Sequence, residues 1–201
     1  MNNDIAWDIE TFPNVFTVAF EHCWMPIRWA FEISPWKNES REIVAFFHWL
    51  ASINARLVGF NSLGFDYPTT HLLLRAGMLD ADTLYKKAQA IIDSRDDGEE
   101  RFTHMVFPKD RVVQQIDLFR VHHMDNRARS TSLKALEFAM KSDHVEDMPI
   151  AIGTTVTLDQ LPVLKSYNAH DVSETKRFYH YSQEAIKFRE ELAAKDPGKD
   201  W

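Results

Sequence analysis

The sequence predicts an α/β fold built on one mixed sheet. Three observations carry that expectation. The chain opens with three successive segments rich in β-branched and aromatic residues. Helical periodicity and short apolar runs then alternate. Apolar residues make up 45% of the 201 positions, with 14 Phe, 6 Trp and 5 Tyr, which is ample material for a core. An antiparallel meander followed by helix-linked strands gives a sheet of mixed direction with helices against it.

Each element has its own signal. Asp4 to Ile9 reads as a strand ending in acids, and Val15 to Phe20 and Ile27 to Ile33 continue the meander. Ile43, Phe46, Phe47 and Leu50 recur at i, i+3, i+4 and i+7, so Ser40 to Ile53 is predicted helical. Arg56 to Phe60 is a short apolar strand halted by Asn61-Ser62-Leu63-Gly64. Tyr67 to Arg75 and Asp82 to Ile92 read as helices. Phe102 to Phe107 and Val112 to Ile116 are expected to form a hairpin, or a hairpin and a core strand. Leu133 to Met140 is expected as a short amphipathic helix, and Asp143 to Leu158 as irregular. Asp159 to Ala194 is expected to be helical with a break near Lys165. Residues 1–195 are read as one domain and 196–201 as a tail.

Charge narrows the function classes. Lys and Arg number 23 against 30 Asp and Glu, a net of −7, so a protein coating duplex DNA by bulk positive charge is not expected. The single cysteine, Cys23, excludes an internal disulfide and a multi-cysteine zinc site, and fits a reducing compartment. Met1-Asn2-Asn3-Asp4 carries no basic, apolar leader and no run is long enough to span a bilayer, so a cytoplasmic location is expected.

The chemistry is carried by three fragments. In Asp8-Ile9-Glu10 the two acids lie at i and i+2 of a strand and share a face, with α-carbons about 6–7 Å apart. Two such charges at 4 Å repel by roughly 4 kcal/mol at an effective dielectric of 20, a cost a divalent cation removes. Taken alone, the pair also reads as two solvated acids at a strand end. In Asn61-x-x-x-Phe65-Asp66 a strand gives way through a polar turn to a helix; Asp66 is either an N-cap or a carboxylate held over the sheet edge. In Tyr167-Asn168-Ala169-His170-Asp171, Tyr167 and Asp171 share a helix face, about 40° apart. Tyr167 alone would also serve as core.

Together and in this order, the fragments resemble the three motifs of the DEDDy family of 3′→5′ exonucleases. Trp7-Asp8-Ile9-Glu10-Thr11 is similar to the first motif, Asn61-x-x-x-Phe65-Asp66 to the second and Tyr167-x-x-x-Asp171 to the third. The second is most similar to the proofreading domains of replicative DNA polymerases. A sister branch has His five positions before the last Asp, where this chain has Ser166. The resemblance implies an RNase H-like fold: an antiparallel meander, then parallel strands, flanked by helices. It implies metal-dependent removal of nucleotides from single-stranded DNA 3′ ends. Proofreading beside a DNA polymerase, or within a larger one, is the setting it suggests.

By that resemblance Asp8, Glu10, Asp66 and Asp171 hold two Mg²⁺ or Mn²⁺ ions, with Asp8 bridging. An all-oxygen donor set suits these cations. Tyr167 orients the attacking water, since a phenol of pKa near 10 is a poor base at neutral pH. Thr11, Phe12, Asn61 and Phe65 are expected to grip the terminal nucleotide. Phe12 would stack on a base or pack in the core, and Asn61 has the alternative of capping its turn. Arg120, Arg127, Arg129 and Lys134 gather in one segment that can track a phosphate backbone. Competing readings are an exoribonuclease similar to the ribonuclease D group, a nucleic-acid-binding module without turnover, and a carboxylate-based phosphohydrolase of small molecules.

Overall fold

In the computed structural model, residues 3–96, 103–123, 132–135, 140 and 148–195 are described. Five strands form one sheet: β1 (Asp4–Phe12), β2 (Val15–His22), β3 (Arg28–Ile33), β4 (Arg56–Gly59) and β5 (Gln114–Asp117), in the order β3-β2-β1-β4-β5. The pairs β1/β2 and β2/β3 are antiparallel, whereas β1/β4 and β4/β5 are parallel. The sheet is therefore mixed, as the alternation of patterns predicts.

Helices accompany it among the described residues: α1 (Ser40–Ser52), α2 (Asp66–Ala76), α3 (Ala81–Asp96), α4 (Leu118–His123), α5 (Leu161–Tyr181) and α6 (Gln183–Lys195). The two faces of β1 separate by residue parity, because successive side chains on a strand alternate. Ile5, Trp7 and Ile9 join Phe16, Val18, Phe20 and Leu57 in a core closed by α1 to α3, through Ile43, Phe47, Leu73 and Leu84. Trp7 anchors it, with its ring stacked on Phe20 and edge-on to Phe47 and Tyr67. The even face carries Ala6, Ala19 and Val58 against Val172, Phe178 and Tyr179 of α5 and Ile186 of α6. β2 is covered on both faces, which is why all eight of its residues are buried.

Two local devices position the later elements. Asn14, in the β1–β2 turn, donates from Nδ2 to the Val156 carbonyl and accepts from the Val156 N–H at Oδ1, both at 2.8 Å. This pair moors the irregular segment that leads into α5. At the end of β4, a β-carbon on Gly59 would lie 2.4 Å from Ser62 Cβ, so the tight return toward α2 requires glycine there.

Two expectations need correction. Residues 103–107 form no strand; Pro108 follows them and lacks the N–H a ladder needs, and the Val112 N–H donates to Tyr67 Oη at 2.8 Å rather than to a strand. Among the described residues of this region the strand is β5. The break in the final helical stretch falls at Ser182, not near Lys165: the Ser182 hydroxyl donates to the Phe178 carbonyl at 2.7 Å and the chain restarts as α6. Of the short helix expected at Leu133–Met140, residues 133–135 are helical and 136–139 lie outside the described residues. No helix among the described residues is long and apolar enough to cross a membrane.

Candidate metal centre

The even face of β1 leaves the apolar layer at its C-terminal end, where Asp8 and Glu10 project toward α5. This helix runs antiparallel to β1, so its early turns lie over the acids. Tyr167, Asn168 and Asp171 occupy those turns. One carboxylate oxygen from each of Asp8, Glu10 and Asp171 lies within 4.8 Å of the others, and all three residues are half-buried. Asp66 enters from the first turn of α2 and is itself buried. Its charge acts on both β1 acids.

The electrostatics follow from this crowding. Burial, then the charges of Asp66, Glu10 and Asp171, push the Asp8 carboxyl well above the ordinary range, and a hydrogen bond from Asn168 opposes them. Burial, then Asp171 and Asp66, raise Glu10 likewise, while the Lys134 ammonium pulls it back. Tyr167 is raised by burial first and next by Asp171 and Glu10, and its hydroxyl hydrogen-bonds to Asp171. A phenol in this position stays protonated at neutral pH and donates. Four acids that disfavour one another's charge, and offer only oxygen, match a hard divalent cation in charge and donor type.

The second motif is built by a carboxylate that sequence reasoning missed. Asp117, at the end of β5, is 4% exposed. Its Oδ1 accepts from the N–H of Asn61 at 2.9 Å and of Phe119 at 3.0 Å, and its Oδ2 from the N–H of Leu63 at 3.1 Å. These bonds hold Asn61 in the left-handed region, at φ 57°, a conformation Asn tolerates better than most residues. The turn that results leads into α2, whose first residue is Asp66. Asn61 therefore shapes its turn through its backbone.

Other expected contacts divide. Thr11 is on β1, with its side chain on the face opposite Asp8 and Glu10. Phe65 packs against the α1–α3 core. Phe12 is corrected to a core residue: it is 2% exposed among Val15, Ile150, Val156, Leu161 and Leu164, leaving no ring face for a base. Arg120 lies beside the acid that shapes the turn, its Nε 3.9 Å from Asp117 Oδ2. Arg127 and Arg129 lie outside the described residues. Ser166 is exposed, whereas Tyr167 is buried at the acids.

Sequence reasoning also passed over Asn168. Its Nδ2 donates to Asp8 Oδ2 at 2.9 Å, and its Oδ1 accepts from the Thr17 hydroxyl at 3.2 Å. The signal available was its place beside Tyr167, one residue inside the third motif. Comparison of the chain with protein-family models, with curated proteins and with solved structures gives no match.

Proposed function

We propose that this chain is a metal-dependent 3′→5′ exonuclease acting on single-stranded DNA ends, with an RNase H-like fold of the DEDDy type. The observation that carries the reading is the convergence of Asp8, Glu10 and Asp171, from β1 and α5, to within 4.8 Å, with Asp66 acting on the same charges. An antiparallel meander followed by parallel strands, in the order β3-β2-β1-β4-β5, is the sheet such a reading calls for.

Asp8, Glu10, Asp66 and Asp171 would hold Mg²⁺ or Mn²⁺. When bound, such ions supply a water of lowered pKa and charge neutralisation for phosphodiester hydrolysis. The chain's own groups do the rest. Tyr167, protonated and with its O–H given to Asp171, presents its oxygen as a fixed acceptor that orients a water without itself taking the proton. The raised Asp8 and Glu10 pKa values mean that metal entry and proton release are coupled, so cation affinity rises with pH. Lys134 adds a positive charge at the Glu10 side, suited to a backbone phosphate.

The test is incubation of the protein with a 5′-labelled single strand, in DNA and RNA forms, with and without Mg²⁺ or Mn²⁺. A cation-dependent ladder shortening from the 3′ end of DNA is expected. Preferential shortening of RNA moves the reading to an exoribonuclease. Nicks in a circular strand, or no cleavage with either cation, overturn it.

A further inference from the structure

We infer that Asn168 is the positioning residue that fixes the Asp8 carboxylate for a divalent cation, with Thr17 setting the direction of its amide. The inference rests on the metal-dependent reading of the site.

Asn168 is 1% exposed and Thr17 2% exposed, so neither side chain reaches a ligand. Both act through Asp8. An ionised carboxylate only accepts hydrogen bonds, whereas an Asn amide donates from one end and accepts at the other. Asp8 therefore selects the NH₂ end of Asn168, at 2.9 Å from Oδ2. The amide oxygen must then find a donor in a buried place, and the Thr17 hydroxyl supplies it at 3.2 Å. An inverted amide would set oxygen against carboxylate.

The relay runs from β2 through α5 to β1. Thr17 is also the cross-strand partner of Glu10, so one short network touches the frame of both β1 acids. Its consequence is directional. The amide commits one lone pair of Asp8 Oδ2 and restrains rotation of the carboxylate, leaving Oδ1 and the other Oδ2 lone pair for cations. Holding a ligand in its binding rotamer before the metal arrives lowers the ordering cost of binding, and partners of this kind typically contribute about 10- to 100-fold to metal affinity. A plain strut between helix and sheet would stabilise the fold and leave cation affinity unchanged.

The experiment titrates full-length wild type, Asn168→Ala and Thr17→Val with Mn²⁺ alone, reading free Mn²⁺ by electron paramagnetic resonance. Thermal unfolding in a chelator and the Mn²⁺ dependence of single-strand cleavage accompany it. Asn168→Ala should weaken Mn²⁺ binding about 10- to 100-fold. The Mn²⁺ needed for half-maximal cleavage should rise in step, and the maximal rate should return at saturating Mn²⁺. Thr17→Val keeps the shape of the side chain and should weaken binding about 3- to 10-fold, the scale of one neutral hydrogen bond. The double variant should be no weaker than Asn168→Ala, because both changes break one relay.

Unchanged Mn²⁺ affinity in the variants overturns the inference, as does a wild type that binds no Mn²⁺. If Asn168→Ala does not fold, Thr17→Val decides alone. Asn168-dependent Mn²⁺ binding with no strand cleavage sustains the inference while removing the exonuclease reading.

Discussion

The two ends of β1 treat buried acids in opposite ways. Asp4, Asp8 and Glu10 lie on one strand and one face, all beneath α5. At the first end Asp4 is 0% exposed, yet both its oxygens are met by Arg56, from Nε at 2.6 Å and Nη2 at 2.7 Å, and the Tyr179 hydroxyl donates at 2.5 Å. Arg56 reaches on to Glu190 of α6. This is a bidentate, charge-assisted arrangement that closes on itself. At the other end Asp8 and Glu10 face more carboxylates, with the Asn168 amide and Lys134 as counterweights among the described residues. The geometry is commensurate: four strand residues and eight helix residues each cover about 12–13 Å, so Tyr179 meets Asp4 where Asp171 meets the upper acids. The same fold thus spends one carboxylate on cohesion and holds the others in mutual opposition. Only the second state has use for an added cation.

Four measurements test that contrast. The largest effect is expected from Asp8→Asn: cleavage of a labelled strand should fall by about 10³-fold or more, the scale of losing a member of a catalytic unit. Chelated protein carrying the same change should unfold at a higher temperature than wild type, because a repelling charge is gone. Retained cleavage would show that the acids at this end are not the reactive ones.

Arg56→Met should do the reverse. It strands Asp4 without its partner and should lower stability by about 3–5 kcal/mol in denaturant titration. The metal site should keep its Mn²⁺ affinity in the folded fraction. A small stability loss with damaged Mn²⁺ binding would mean that the two ends are not separate devices.

Tyr167→Phe comes next. Removal of a hydroxyl that orients a water without transferring protons should cut the maximal cleavage rate by about 10- to 100-fold and leave the affinity for the strand unchanged. Weakened affinity at full rate, from single-turnover kinetics, would assign the hydroxyl to strand binding instead.

The smallest effect is the pH dependence of the chelated protein. The folded pKa values of Asp8 and Glu10 are raised, so the native state binds more protons than the unfolded state between the ordinary carboxylate range and those raised values. Their contribution to stability is therefore fully favourable below that range and is lost as pH rises through it. His22, His71 and His122, all lowered with desolvation as the first cause, act in the opposite sense as pH falls. The difference between wild type and Asp8→Asn isolates the acids: it should widen by about 1 kcal/mol as pH rises and shrink when Mn²⁺ is present. A difference that is flat with pH would remove the repulsion argument.

The order of difficulty in the sequence follows the range of the interactions. The β1 acids were legible because a strand has a two-residue period, and Tyr167 and Asp171 because a helix has a near four-residue one. The mixed sheet was legible from the change of pattern after the meander. Phe12 was ambiguous between stacking on a base and packing in the core, and only the loop moored by Asn14 shows that its surroundings are apolar and closed. Asn168 and Thr17 interact across 151 residues and Asn168 and Asp8 across 160, separations at which residue identity alone does not choose a partner. Asp117 offered no spacing at all, since its partners are backbone amides of two turns. The break at Ser182 depends on a hydroxyl turning back on its own helix, and a serine in a helix does that only in some settings.

The long reach of α5 has a consequence for biosynthesis. Asp8 and Glu10 emerge from the ribosome some 160 residues before Asp171, as the separation of its neighbour Asn168 from Asp8 records. A nascent chain already able to close the aromatic layer around Trp7 still lacks the helix that completes the acid cluster. The acid cluster is therefore complete only once translation has passed α5, an order set by connectivity alone.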